Sequence, residues 1–291
     1  MASETLTRTI QTFELPGEAV FPESVGIDSA SGDAYVGSLA AGALYRVRGG
    51  RDTVELWLAA GEDGRNSVAG VKVDPSGRLW AAGGYDGSLW VYQLSDRTLL
   101  ARMHVGRQPS CVNDVAFGPD GAAYVTDSFI PSLFRISAQE LKLEEWVDLA
   151  ARGMPWPEGL NLNGIVLAPD QRHLVSCQTN TGRYWNIALD SGEVREVALD
   201  GGPLEHSDGL AIAGSKLYAA INARNRIAVM ELADDGSEAT VRSMLTSEAF
   251  AFPTAVAAYD GRLLVVNGQL DRMGGTPSLP FTVVAVEAKE D

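Results

Sequence analysis

One unit recurs along the whole chain and constrains the fold more than any other feature. It is an apolar strand, a tight turn rich in Asp, Pro or Gly, and a second apolar strand. The clearest copy runs Val112-Asn113-Asp114-Val115-Ala116-Phe117, then Gly118-Pro119-Asp120-Gly121, then Ala122-Ala123-Tyr124-Val125-Thr126-Asp127. Ser132 to Ile136 follows as a third strand and Leu143 to Leu149 as a fourth. The unit starts again near Pro22, Val68, Leu162, Ser207 and Pro253, at intervals of 44 to 50 residues. Four-stranded propeller blades repeat every ~40–45 residues. The expected fold is therefore all-β, a six-bladed β-propeller of four-stranded blades forming one domain over 1–291. Thr7 to Phe13 and Phe281 to Val286 are expected to share the last blade. That pairing closes the ring and leaves no open sheet edge.

Composition narrows the function. With 38 acidic and 23 basic residues the net charge is −15. Such a surface repels nucleic-acid backbones and anionic lipid, so neither is an expected partner. A small-molecule substrate is expected, on a monomer or weak homodimer. The two cysteines, Cys111 and Cys177, are too few for a disulfide framework and are read as buried free thiols. No signal-peptide pattern opens the chain, so a cytoplasmic location is expected, or a secreted one where a signal has been removed.

Stacking the six units exposes one polar column near the start of each first strand: Glu23, Ala69, Asn113, Asn163, Asp208 and Thr254. First strands line the central channel of a propeller, so these positions converge near the axis. Two carboxylates and two amide oxygens in a narrow channel are costly without a cation. Hard oxygen donors with a charge of −2 suit Ca2+, with another divalent cation such as Mg2+ as the alternative. Zinc is not supported, because the histidines and cysteines show no ligand spacing. The plainer reading is that Asn-Asp, Asn-Gly and Asp-Gly are ordinary turn dipeptides.

At these residues the chain resembles the senescence-marker-protein/gluconolactonase family, together with the drug-responsive lactonases and diisopropyl-fluorophosphatase. The resemblance rests on Pro22-Glu23-Ser24, Val112-Asn113-Asp114 with Val125-Thr126-Asp127-Ser128, Leu162-Asn163-Gly164-Ile165 with Ala168-Pro169-Asp170, and Ser207-Asp208-Gly209-Leu210. It implies calcium held by Glu23, Asn113, Asn163 and Asp208, hydrolysis of lactones or phosphotriester-like compounds, and Asp208 as base or nucleophile. Family gluconolactonases usually carry an Arg two residues before the third-blade Asn, where this chain has Cys111. Weak activity on gluconolactone itself is therefore expected. Ser176-Cys177-Gln178 also lacks the Asp-Thr often found there.

The expected function is a calcium-dependent lactonase or esterase. An organophosphate hydrolase and a non-catalytic binding propeller with a structural calcium are the alternatives. His206, two residues before Asp208, and Asp127, at the end of a second strand, are candidate acid–base partners. Asp114 is read as a solvated turn carboxylate in preference to a ligand-orienting one. Asn113, Cys111, Phe129, Trp156 and Trp185 are candidate substrate contacts, although for each of the three aromatics a core position is the favoured reading. Trp156 lies in Met154-Pro155-Trp156-Pro157, an insertion placed to wall a pocket. No Gly-x-Ser-x-Gly elbow and no Walker-type loop is present in the sequence.

Overall fold

Short apolar runs with branched and aromatic residues, separated by Asp- and Gly-containing turns, can bury two faces only as strands of stacked sheets. The structure, a computed structural model, describes residues 3–288. Met1, Ala2 and 289–291, which the one-domain reading includes, lie outside the described residues. Each sequence unit forms one antiparallel blade, and the six blades make a propeller. The inner strands are Pro22–Ile27, Gly70–Val73, Val112–Phe117, Leu162–Leu167, Ser207–Ala213 and Pro253–Tyr259.

The turn after the inner strand has a local cause in four blades. Asp28, Asp74, Asp120 and Asp170 each accept, through Oδ1, the backbone N–H two residues on, at 2.8–3.1 Å. This side-chain bond folds the chain back without help from the rest of the molecule.

The ring closes as the sequence predicts. Thr9–Leu15 pairs antiparallel with Phe281–Glu287, from Thr9 opposite Val286 to Leu15 opposite Phe281. Blade five carries more than four strands. Ser3–Leu6 and Ala198–Asp200 both add in parallel to its outer strand, Glu238–Thr246. Sequence reading passed over these segments because they are short, largely exposed and lack alternation.

The core consists of six apolar layers, one between each pair of neighbouring blades. Phe13, Val25, Val36, Val266 and Phe281 form the layer at the closure, so the N-terminal strand is held by burial as well as by its ladder. Near the axis the inner strands approach so closely that side chains are excluded. A Cβ on Gly164 would lie 2.5 Å from Leu210 N, and one on Gly209 would lie 2.8 Å from Ala255 Cα. The Asn163-Gly164 and Asp208-Gly209 dipeptides are therefore strand residues at blade contacts. The turn-dipeptide reading does not hold for them.

Candidate functional site: a polar ring at the mouth of the channel

The column residues sit where the inner strands begin, and five of the six strands are irregular there. Pairing with the second strand slips between Pro22 and Ser24, Val112 and Val115, Leu162 and Ile165, Ser207 and Leu210, and Pro253 and Ala255. A bulge of this kind frees a residue from the ladder and re-aims its side chain. Glu23, Asn113, Asn163, Asp208 and Thr254 fall within these slips, and all five are buried. Blade two, with Ala69 in the column, pairs regularly.

A second column, the first residue after each second strand, fixes the first. Asn113 Nδ2 donates to Ser128 Oγ at 3.1 Å, and Ser128 Oγ donates to Leu162 O at 2.6 Å. One blade on, Asn163 Nδ2 donates to Thr179 Oγ1 at 3.2 Å, and Thr179 Oγ1 donates to Ser207 O at 2.7 Å. In blade five, Asn222 Nδ2 donates to Asp208 Oδ2 at 2.9 Å. The two amides thus spend their nitrogens on neighbouring hydroxyls, which sets their orientation and leaves each carbonyl oxygen as the donor to a cation.

The charges do not balance by themselves. Burial pushes the Glu23 carboxyl well above its usual range, and the negative charges of Asp208 and Asp114 push it further, against the pull of Lys72. Burial also raises Asp208, to about 7, against hydrogen bonds from Asn222 and Asn163. Glu23 and Asp208 therefore lie within each other's field in a water-poor place, which disfavours two anions. Among the described residues no three His, Cys, Asp or Glu side chains form a metal cluster. The donor set is mixed, two carboxylates with two amides, and its hardness and charge fit a divalent cation of the calcium type.

Asp114 is not the solvated turn carboxylate expected from sequence. It is buried in the inner strand of blade three, where Oδ2 accepts Ile165 N at 3.1 Å. Its Oδ1 lies 3.2 Å from Lys72 Nζ, close but not aligned as a hydrogen bond. Lys72 also lines a cavity of about 360 Å³ between the inner strands, whose other walls are mostly apolar, among them Val25, Val115, Ile165, Leu210 and Val256.

The remaining candidates divide. Cys111 and His206 occupy equivalent rim positions, two residues before the column. Their carbonyls accept Ser128 N at 2.9 Å and Asn222 N at 3.1 Å. Cys111 is buried, and burial and the charges of Asp127 and Glu23 hold its thiol protonated. His206 is exposed and has a left-handed backbone, φ 68°. Both cysteines are free and buried, as expected.

Asp127 is fully used in structure. Oδ1 accepts Cys111 N, Phe129 N and Ile130 N at 2.8–3.0 Å, and Oδ2 accepts Ser110 Oγ at 2.6 Å. Four donors hold this fully buried carboxylate, so the structure gives Asp127 an anchoring part, in place of the exposed position that the acid–base reading needs. Trp185 takes the core position that the sequence favours over a substrate contact. It is 5% exposed in the layer between blades three and four, and Nε1 donates to Gln178 Oε1 at 3.0 Å. Gln178 in turn donates to Pro155 O at 2.9 Å, so Trp185 supports the insertion from behind. Trp156, on that insertion, donates to Phe129 O at 3.2 Å and braces the rim. Sequence reasoning missed Ser128, Thr179 and Asn222 as a set. Stacking the residue after each second strand would have found them.

No family model matches the chain, and no curated protein sequence matches it. Solved structures do. Regucalcin, a calcium-binding protein from Agrobacterium tumefaciens, superposes with a TM-score of 0.72 at 15% identity, over 100% of this chain and 98% of that one. A gluconolactonase from Xanthomonas campestris gives 0.67 at 16% identity, over 95% and 89%. Virginiamycin B lyase from Staphylococcus aureus gives 0.65 at 15% identity, over 88% and 81%. At this level of identity the likenesses establish the propeller fold.

Proposed function

We propose that the chain is a calcium-dependent hydrolase of small-molecule lactones or esters, acting at the mouth of the central channel. The observation that carries the reading is the ring itself. Burial raises the proton affinity of both carboxylates, and the charge of Asp208 raises that of Glu23 further, while two amides are turned by their hydroxyl partners to present oxygen. Glu23, Asn113, Asn163 and Asp208 would hold the ion. A calcium ion prefers 6–8 oxygen ligands, so four side chains leave positions for substrate. When bound, the ion supplies Lewis-acid polarisation of a substrate carbonyl.

The chain's own residues supply the rest. Asp208, held at Oδ2 by Asn222, is placed to accept a proton from an attacking water. His206 stands exposed on the rim two residues away, where it can exchange that proton with solvent. Among the structural neighbours, regucalcin is a calcium-binding protein and the Xanthomonas campestris protein is a gluconolactonase, and the proposal joins these two features. Cys111 leaves no fixed cation at its rim position for a sugar-acid group, so gluconolactone is expected to be a poor substrate.

The test is a panel of lactones and aryl esters assayed with calcium and with chelator, on the wild type and Asp208→Asn. Calcium-dependent turnover that Asp208→Asn abolishes, with melting temperature largely kept, supports the reading. Near-normal turnover by calcium-saturated Asp208→Asn overturns the role of Asp208. Turnover that chelator leaves untouched overturns the metal.

A further inference from the structure

The mouth of the channel is two-sided, and blade two makes the difference. In the other five blades the residue after the second strand donates its N–H to the carbonyl two residues before the column: Leu39 to Phe21, Ser128 to Cys111, Thr179 to Asn161, Asn222 to His206 and Gly268 to Phe252. Blade two breaks this rule. Gly83 N bonds within its own loop to Ser88 O, and Gly84 exchanges two backbone bonds with Val112 of blade three, at 2.8 and 3.0 Å. Ala82, which ends the strand, still accepts Ala69 N at 2.7 Å, and the departure begins at Gly83. Ser67, at the position two before the column, is left with an Oγ that is buried yet has no hydrogen-bond partner among the described residues.

What lines this side is small or apolar. A Cβ on Gly84 would meet Ser67 Oγ at 3.3 Å, Ala69 Cβ at 3.4 Å and Leu39 Cδ1 at 3.5 Å. Above them the same loop carries Tyr85, 57% exposed, whose ring packs on Phe129 of blade three, centroids 5.8 Å apart and 36° between planes. Phe129 is fixed by Asp127 and Trp156. Partial burial raises the Tyr85 hydroxyl, and the ring lies close enough for the Glu23 carboxylate to raise it further. The charges that act here are mainly negative: Glu23 feels Asp208 and Asp114, against Lys72, which is paired with Asp114.

We infer that Tyr85 and Phe129, beside the small residues Ser67, Ala69 and Gly84, form a subsite next to the polar ring for an uncharged aromatic group stacked on the exposed Tyr85 ring. The inference deepens the hydrolase reading by naming aryl or benzyl esters and aryl-substituted lactones as the substrate class, and it rests on that reading for turnover only. Binding tests it separately.

Benzyl alcohol and its non-planar analogue cyclohexylmethanol are titrated by NMR against the whole chain in chelator, where no hydrolysis contributes. Benzyl alcohol is expected to bind more tightly, and Tyr85→Ala and Phe129→Ala each to weaken it about tenfold, the scale of one stacking contact. Tyr259→Ala, an exposed tyrosine on a blade-six turn, is the control and should bind as the wild type does. In turnover, the preference for phenyl acetate over γ-butyrolactone should fall about tenfold in Tyr85→Ala. Equal binding of the two alcohols, or of benzyl alcohol to wild type and to a Tyr85→Ala/Phe129→Ala double variant, overturns the subsite. Retained binding selectivity with no turnover of any ester overturns the hydrolase reading and leaves the subsite standing.

Discussion

Asn222 Nδ2 donates to Asp208 Oδ2 at 2.9 Å, and so occupies in blade five the place that Ser128 takes beside Asn113 and Thr179 takes beside Asn163. In two blades the second-column group orients an amide; in the third it steadies an anion. Removing that donor should cost the ring more than it costs the fold, because Asn222 is half-exposed in a short 3-10 turn. Asn222→Ala is expected to weaken calcium binding about tenfold, since partners behind a metal ligand contribute 10–100-fold to affinity. Calcium titration followed by calorimetry checks this. Unchanged affinity would show that Asp208 is held by Asn163 alone.

The ring also predicts how stability depends on pH without metal. Folded Asp208 keeps its proton to about pH 7, whereas an unfolded Asp releases it near its model value of 3.8. Between those values the folded state binds more protons, so stability must fall as pH rises through that window. Glu23, raised as well, acts in the same direction. Glu55 and Asp235 are lowered by their partners, so what they contribute is already complete above pH 5. The melting temperature in chelator should therefore drop from pH 5 to pH 8, and saturating calcium should cancel the drop because the ion replaces the proton. A flat or rising profile in chelator is the outcome that contradicts the ring.

Most of the architecture is legible in the sequence because propeller blades are built from local signals. The Asp-containing turns, the alternating runs and the period are each readable over a dozen residues, and the closure of Thr9–Leu15 on Phe281–Glu287 follows from the phase of the repeat. The first polar column is legible for the same reason. What stays hidden depends on contacts between blades. Asp114 looks like a turn residue until Ile165 N and Lys72 are seen beside it. Asp127 looks like a proton carrier until three backbone donors and Ser110 fill its oxygens. The Gly84–Val112 bridge that opens the blade-two side joins two blades and has no signature within one repeat.

Close approach of the inner strands supplies a purely steric prediction. A Cβ at Gly164 would meet Asp208 O at 2.6 Å and Leu210 N at 2.5 Å, both backbone atoms that cannot swing aside. Gly164→Ala should push blades four and five apart at the ring and lower stability by about 1–3 kcal/mol, the usual cost of overpacking. Because Asn163 and Asp208 flank this contact, calcium affinity should fall with it. Thermal melting with and without calcium measures both effects. A Gly164→Ala protein with wild-type melting temperature and affinity would mean that the blades have room the structure does not show.

Asp127 gives the sharpest separation between structure and chemistry. Its carboxylate joins four donors: the backbone N–H groups of Cys111, Phe129 and Ile130, and the Ser110 hydroxyl. It thereby ties one rim position, Cys111, to the loop that carries Phe129. Asp127→Ala leaves those buried donors without an acceptor, at about 1–3 kcal/mol for each that water cannot reach. A total loss of about 3–5 kcal/mol is expected, with the melting temperature falling at every pH because the cost is desolvation and not titration. Asp127→Asn can keep its oxygen on the three N–H groups and turn its NH2 to Ser110 Oγ, which then accepts, so it should lose only about 1–2 kcal/mol and keep kcat. A residue that moved protons would behave differently. Its Asn variant would keep the wild-type melting temperature and lose kcat, with a changed pH profile. Melting curves and pH–rate profiles of both variants decide between the two, and a stable, inactive Asp127→Asn protein would return Asp127 to the chemistry.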